Sequence, residues 1–166
     1  MAISIALEPV VTAPGTSRVA AESVILQYLH IKVTSGDSAG RMASWEAVIP
    51  PRLGPPEHIH EREDEWFFVL EGEITFLVNG KKVVSKAGTS VFGPRGVPHT
   101  FSNLTETPAR MLGMVTPGGF EEYFVAADRI AAEEAITGVH PAMDVFKGLM
   151  DQFGVRVVGP PLAERE

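Results

Sequence analysis

The 166-residue sequence contains no cysteine. This absence excludes disulfide bonds, thiolate nucleophiles and thiolate metal ligands, and it suits a reducing compartment. A metal site in this chain therefore has no thiolate ligand, and nitrogen and oxygen donors are the main ones available.

The chain also lacks long apolar runs and clustered basic residues. No apolar stretch approaches the ~18 residues of a membrane-spanning helix, and residues 1–11 lack the basic start of a signal peptide. The 14 lysines and arginines are scattered and outnumbered by 21 acidic residues, which gives a formal net charge of −7. Because nucleic-acid backbones require a basic surface, we expect an acidic, soluble, cytoplasmic protein with neither nucleic acid nor membrane as a partner.

Short apolar segments separated by turn residues make up most of the chain before Pro117. The 16 glycines and 13 prolines suit a fold with many short strands and turns. Asn79-Gly80, between two alternating runs, is a strong hairpin signal. The segments predicted as strands are 24–33, 41–49, 57–61, 65–70, 73–78, 81–85, 89–92, 99–103 and 110–115. Such a series predicts an all-β antiparallel sandwich or barrel.

After Pro117 the apolar residues change to a helical period. They recur at helical spacing from Phe120 to Ala132. A second helix is predicted from Pro141 to Gln152, and Val155 to Val158 form a possible edge strand.

The length predicts one domain. Residues 1–117 are expected to form the barrel with an extended N-terminal arm, and residues 118–166 a helical extension packed on the barrel. The first C-terminal helix either lies across the barrel mouth as a lid or packs on the outside, and outside packing is favoured. The arm, residues 1–34, can add a strand to the exposed sheet edge of a second copy, which predicts a homodimer.

Four side chains between Gly54 and Asn103 carry the most specific chemical signal. His58 and His60 are two residues apart in a predicted strand, so both point to the same face as a potential pair of metal ligands. Glu65 follows five residues later at the entry to the next strand, where it can reach back to them. His99 begins a strand after a proline- and glycine-rich turn. Taken alone, a pair of histidines in a strand is more often a chance or surface feature than a metal site.

A second block of residues makes coincidence a poor explanation. Gly88, Pro94, Gly96, His99 and Asn103 form the pattern G-x5-P-x-G-x2-H-x3-N. From the composition of this chain, its G, P, G and H would align at a given start with a chance of about 2 in 100,000. The first block reads H-x-H-x4-E-x6-G, from His58 to Gly72.

Together the two blocks resemble the two motifs of the cupin superfamily. The resemblance implies a small jelly-roll β-barrel in which three histidines and one glutamate hold a single divalent metal ion. Carried over residue by residue, it assigns the ligand role to His58, His60, Glu65 and His99. One departure is visible, because Arg52 stands where the first motif usually begins with glycine, and Gly54 is the nearest glycine.

The donor set suits one divalent transition metal ion per chain, which is Fe, Mn, Ni, Co, Cu or Zn. Such an ion stabilises an enolate or hydroxyl anion as a Lewis acid and, if redox-active, brings O2 to that ligand. Glu65 is the expected general base, with a pKa raised by an apolar barrel. Glu63 and Asp64 are expected to be solvated turn residues, and His30 and His140 to be structural or surface residues.

An apolar barrel favours a flat aromatic or enolic substrate over a sugar phosphate. The candidates to line its cavity are Phe67, Val69, Phe76, Phe92, Phe101, Met111 and Met114. The segment Gly118 to Phe124 and the tail Gly159-Pro160-Pro161 are similar to single-domain cupins of the quercetin 2,3-dioxygenase-like group.

That likeness implies a metal-dependent dioxygenase that uses O2 on a small flavonol-like substrate. Two alternatives stay open. One is a lyase or isomerase that stabilises an enolate, and the other is a non-catalytic cupin that binds a small ligand.

Overall fold

The structure, a computed structural model, describes residues 7–22, 24–138 and 143–165. Within these residues, ten strands form two antiparallel five-stranded sheets, with strand orders β1-β2-β9-β4-β7 and β10-β3-β8-β5-β6. The strands are β1 (Leu29–Val33), β2 (Ala43–Ile49), β3 (Pro56–His60), β4 (Asp64–Glu71), β5 (Glu73–Val78), β6 (Lys81–Lys86), β7 (Ser90–Gly93), β8 (His99–Ser102), β9 (Ala109–Thr116) and β10 (Val155–Pro161). The predicted all-β fold with two C-terminal helices is confirmed.

The helices are α1 (Val24–Tyr28), α2 (Glu121–Thr137), α3 (Met143–Gln152) and a 3-10 turn (Leu162–Arg165). The predicted start of the second C-terminal helix at Pro141, together with His140, lies outside the described residues. In the part of the chain that the structure describes, no helix combines the length and the hydropathy needed to cross a membrane.

The predicted strand over residues 24–33 is wrong in its first half, because residues 24–28 form α1. The carboxylate of Asp128, on α2, accepts hydrogen bonds from the backbone N–H groups of Glu22 (2.6 Å) and Leu26 (3.0 Å). The bond from Leu26 satisfies an amide in the first turn of α1 that lacks a partner within the helix. Leu26 is buried beside Ile31. Tertiary contacts thus override the β propensity of this segment.

The core lies between the sheets and follows the predicted alternation of β2. Ala43, Trp45, Ala47 and Ile49 are buried, while the residues between them are half-buried. The indole of Trp45 lies over Gly113, its partner across β2 and β9. A Cβ atom at residue 113 would stand 2.4 Å from the indole ring, so only glycine leaves room for it.

The N-terminal arm hydrogen-bonds to the edge strand of its own chain. The backbone N–H of Arg18 donates to the carbonyl of Ile31 (2.8 Å), and the N–H of Ile31 donates to Ser17 Oγ (3.1 Å). The arm therefore lies along the edge of β1 in its own chain, whereas it was expected to add a strand to the sheet edge of a second copy. The homodimer stays a prediction, which light scattering of the purified protein tests.

Candidate metal centre

The four predicted metal ligands come from three strands that belong to both sheets. His58 and His60 lie on β3, and His99 lies on β8 directly opposite His58 in the antiparallel register. Glu65, on β4, reaches the group from the other sheet. All four side chains are buried. The two-residue spacing on β3 places both imidazoles on the inner face, as the alternation of a strand requires.

The four side chains converge on one point. One potential ligand atom from each lies within 4.8 Å of the others. Glu65 Oε2 is 2.9 Å from His99 Nε2 and 3.3 Å from His60 Nε2. The His58 ring centroid is 4.7 Å from that of His99 and 5.1 Å from that of His60. The chain thus contains a His/Glu cluster that is able to bind a metal ion. The individual ligand roles stay predictions.

Backbone carbonyl groups orient two of the imidazoles. His58 Nδ1 lies 2.8 Å from the carbonyl oxygen of Pro56, and His99 Nδ1 lies 2.9 Å from that of Val97. Because a carbonyl oxygen only accepts, both Nδ1 atoms carry the proton and donate it. In the neutral rings, the lone pairs therefore reside on Nε2, as metal coordination requires.

The third imidazole is oriented by a carboxylate. His60 Nδ1 lies 3.2 Å from Glu63 Oε2, and the Glu63 side chain is only 6% exposed. The expectation that Glu63 is a solvated turn residue is therefore wrong. Asp64 does remain at the surface, where it accepts two hydrogen bonds from the guanidinium of Arg95 (3.0 and 2.8 Å).

The electrostatics of the cluster favour positive charge beside the Glu65 carboxylate. Burial alone would raise the pKa of Glu65, but the nearby His60 and His99 outweigh it and hold that pKa well below its usual range. Burial lowers the pKa of His58 to about 4. For His60 burial also acts to lower the pKa, but attraction to the Glu65 carboxylate at 3.3 Å and the hydrogen bond to Glu63 raise it to about 9. The predicted upward shift for Glu65 is therefore wrong in direction.

These donors fit a divalent cation. A neutral His99 ring that donates from Nδ1 turns its Nε2 lone pair toward a carboxylate oxygen at 2.9 Å, which is repulsive without a positive charge between them. His60 Nε2 is buried and makes no hydrogen bond of good geometry. A divalent metal ion would supply this positive charge and satisfy all four donors at once.

A cavity of about 520 Å³ adjoins the cluster at His58 and Glu65. Of the candidates to line it, Phe67, Phe101 and Met111 do so. Val69 and Phe76 are buried in the core away from the cavity wall, Met114 is also absent from the wall, and Phe92 is 57% exposed at the surface.

Helices supply much of the remaining wall, which sequence reasoning missed. Phe120, the residue before α2, and Tyr123, Phe124 and Ala127 of α2 line the cavity, as do Phe146 and Met150 of α3. The Phe120 ring touches His60 at 4.5 Å between centroids. The helix was favoured to pack outside the barrel, but its inner face lines the cavity. The helical spacing of apolar residues in this segment was the available signal in the sequence, but such spacing does not identify what the helix covers.

The structure shows how Arg52 takes the place of the glycine that usually opens the first motif. Arg52 adopts a left-handed conformation (φ 63°) at the position where glycine is usual, and its N–H donates to the carbonyl of Asn103 (2.7 Å). Gly54 is required for a different reason, because a Cβ atom there would collide with the carbonyl oxygen of Phe101. The loop before the ligands keeps its turn at the cost of about 1–2 kcal/mol for a left-handed non-glycine residue.

The family is assigned from a match to a family model, and the matched residues include all four members of the His/Glu cluster. Residues 45–115 match the family model described as a cupin domain. The chain belongs to the cupin superfamily. This match includes His58, His60, Glu65 and His99, while the two C-terminal helices lie beyond it.

Two relatives and one solved structure place this cupin among known proteins. It is 31% identical to quercetin 2,3-dioxygenase of Bacillus subtilis (strain 168) over 68 residues, 41% of this chain and 20% of that protein. It is 38% identical to the HTH-type transcriptional regulator PuuR of Escherichia coli (strain K12) over 88 residues, 53% of this chain and 48% of that protein. The chain thus spans less than half the length of either relative.

The fold is shared with the crystal structure of a predicted oxalate decarboxylase from Thermotoga maritima. The TM-score is 0.55 and the identity 22%, over 66% of this chain and 99% of that one. At this identity the likeness concerns the fold alone.

Proposed function

We propose that this cupin is a metal-dependent dioxygenase that acts with O2 on a small aromatic or enolic substrate. The observation that carries the proposal is that an apolar cavity opens directly onto His58 and Glu65 of the cluster. Its volume of about 520 Å³ lies in the range of small-molecule sites. The similarity of 68 residues of the chain to a quercetin 2,3-dioxygenase supports the same class of substrate.

The chemistry of the wall favours an uncharged planar molecule. Among the described residues, no lysine, arginine or aspartate lines the cavity, whose polar side chains are Tyr28, Trp45, His58, Glu65 and Tyr123. A sugar phosphate would bury its charge there without a cationic partner, at a cost of several kcal/mol. Aromatic rings such as Phe101, Phe120 and Phe124 instead offer faces and edges for a flat substrate.

A divalent metal ion held by His58, His60, Glu65 and His99 would supply Lewis acidity toward an enol oxygen and, if redox-active, electron transfer toward O2. The residues of the chain contribute position and proton transfer. Glu65 is the carboxylate of the cluster that lines the cavity, so it is placed to accept the proton of a substrate hydroxyl group. Because His60 and His99 depress its pKa, it becomes an effective base only when those contacts loosen.

Oxygen uptake by metal-loaded protein tests the proposal. The protein is loaded separately with Fe, Mn, Co, Ni, Cu or Zn and mixed with quercetin or with 3-hydroxyflavone, which lacks the additional ring hydroxyl groups. We expect O2 consumption with at least one redox-active metal, and faster turnover of 3-hydroxyflavone, since four extra hydroxyl groups would find few partners in this cavity. Absence of turnover with every metal would contradict the dioxygenase. Conversion of substrate at the same rate under nitrogen would favour the lyase or isomerase.

A second candidate is a cupin that binds a small ligand without changing it. The similarity to a transcriptional regulator over 53% of this chain favours it. Tight binding of 3-hydroxyflavone, with quantitative recovery of the unchanged compound after prolonged aerobic incubation of the metal-loaded protein, would support this candidate over the enzyme.

A further inference from the structure

The three imidazoles of the cluster are not held alike. His58 and His99 each donate to the carbonyl oxygen of the residue two positions earlier, which is an uncharged acceptor. His60 instead faces the carboxylate of Glu63 at 3.2 Å. His60 is therefore the one member of the cluster whose outer nitrogen meets a negative charge among the described residues.

The loop that carries Glu63 is fixed on both sides. The carbonyl of His60 accepts a hydrogen bond from Gly96 N–H (2.8 Å), and the N–H of Glu61 donates to Gly154 O (2.9 Å). One residue beyond Glu63, Asp64 is bound by the guanidinium of Arg95. Between these points, Glu63 turns inward, and its side chain is 6% exposed. A carboxylate buried to this degree is costly unless it has a charged or strongly donating partner.

We propose that Glu63 is a positioning residue that holds His60 as the most electron-rich imidazole donor of the metal centre. The inference rests on the proposed function, because it presupposes that the cluster binds a metal ion. The hydrogen bond from Nδ1 fixes the ring so that Nε2 faces Glu65. The negative charge behind the ring raises its strength as a donor, as a carboxylate behind a metal-bound histidine does in other proteins.

Glu63 also affects the net charge of the metal centre. Three neutral imidazoles and the Glu65 carboxylate leave a divalent ion with a net charge of +1 in a buried site. The negative charge of Glu63, which faces the outer nitrogen of the His60 ring, brings this net charge to zero. A buried centre without net charge is less costly to form than a charged one, so loss of the Glu63 charge disfavours metal binding even where the hydrogen bond survives.

Two variants of Glu63 separate the hydrogen bond from the charge. In Glu63→Gln the side-chain oxygen still accepts from His60 Nδ1 but the charge is lost, whereas Glu63→Ala removes both. Glu61→Gln is the matched control, because Glu61 is two residues away, 59% exposed and paired only loosely with Arg156 at 3.7 Å. The probe is Co(II), whose affinity is measured by competition with a chelator and whose visible spectrum reports the strength of its ligands.

We expect Glu63→Gln to weaken Co(II) binding by about 10- to 100-fold and to shift the Co(II) bands. Glu63→Ala should weaken binding further, and Glu61→Gln should leave both readouts unchanged. The thermal midpoint of metal-free Glu63→Gln should stay close to that of the unmodified protein, since the variant is nearly isosteric.

The outcomes distinguish this inference from the proposed function. Co(II) affinity and spectrum in Glu63→Gln that equal those of the unmodified protein would overturn the role of Glu63 alone. Failure of the unmodified protein to bind Co(II) would overturn the proposed function as well. If Glu63→Ala does not fold, Glu63→Gln decides the question by itself.

Discussion

The cavity is bounded by two regions that differ in chemistry and in construction. At one end, strands from both sheets present His58 and Glu65, and Glu65 Oε2 lies 2.9 Å from His99 Nε2 behind them. On the other side, α2 and the residue before it present Phe120, Tyr123 and Phe124. Under the proposed function, the strand-built end holds the reacting atoms. The helix-built wall, which carries no residue of the cluster, would then select which molecules reach that end.

The two regions are also held by different forces. Backbone ladders hold the strand-built end, and hydrogen bonds from the Nδ1 atoms of His58 and His99 to the carbonyl groups of Pro56 and Val97 orient its imidazole rings. The helix-built wall depends on ring contacts, among them Trp45 to Phe124, at 5.1 Å between centroids. Its polar anchors include two buried carboxylates. Glu121 accepts from the N–H groups of Gly119 (2.7 Å) and Ser35 (2.5 Å), and Asp128 accepts from that of Leu26 (3.0 Å). We therefore expect substitutions in one region to leave the function of the other largely intact.

The largest expected effect is on the strand-built end. His99→Ala removes one of the four donors and should weaken metal binding by more than about 100-fold, because loss of a group behind a ligand alone costs 10- to 100-fold. Binding of 3-hydroxyflavone to the apolar wall should fall much less. The measurements are metal content by elemental analysis and ligand affinity by fluorescence.

His30→Ala is the matched control, since His30 lies on β1 and is not a member of the cluster. Its metal content should equal that of the unmodified protein. Full occupancy in His99→Ala would contradict the assignment of this residue.

An intermediate effect is expected where the wall meets the sheet. Gly113→Ala puts a methyl group within 2.4 Å of the Trp45 indole, which must move into the cavity. We expect the free energy of unfolding to fall by about 1–3 kcal/mol, as in other overpacked cores. Affinity for 3-hydroxyflavone should drop, while the Co(II) affinity stays unchanged.

Gly148→Ala supplies the control for the same chemical change. Gly148 lies on α3, where an added Cβ atom meets nothing within 4 Å. This substitution should stabilise the protein by up to about 1 kcal/mol, because alanine has the higher helix propensity. Loss of Co(II) binding in Gly113→Ala would show that the two regions are coupled, against the distinction drawn between them.

The sequence predicts the strand-built end well because its information is local. Two-residue spacing places His58 and His60 on one face. The hairpin turn predicted at Asn79-Gly80 is present, with positive φ angles of 48° and 73°. Each of these features depends on a few neighbouring residues, whose conformational preferences are strong.

The features that the sequence did not predict depend on distant partners. The helix α1 forms where the carboxylate of Asp128 reaches the N–H of Leu26 across 102 positions of the chain. Glu63 is buried because the loop around it is fixed by Arg95 and Gly154. In both cases the decisive contact joins segments that no local pattern relates, so only the folded structure identifies it.

The smallest effect is expected within the helix-built wall itself. Tyr123 lines the cavity and stacks on Phe120 at 5.2 Å, and its hydroxyl group has no hydrogen-bond partner in the part of the chain that the structure describes. Tyr123→Phe should therefore leave stability nearly unchanged. If a ring hydroxyl group of the substrate pairs with Tyr123, the variant should weaken quercetin binding by about 2- to 10-fold, the usual range for one net hydrogen bond.

Binding of 3-hydroxyflavone, which lacks those ring hydroxyl groups, serves as the internal control and should not change. Fluorescence titration of both compounds against the variant and the unmodified protein measures the difference. Equal losses for both compounds would mean that Tyr123 acts through its ring alone. The helix-built wall would then select substrates by shape, without a polar contact of its own.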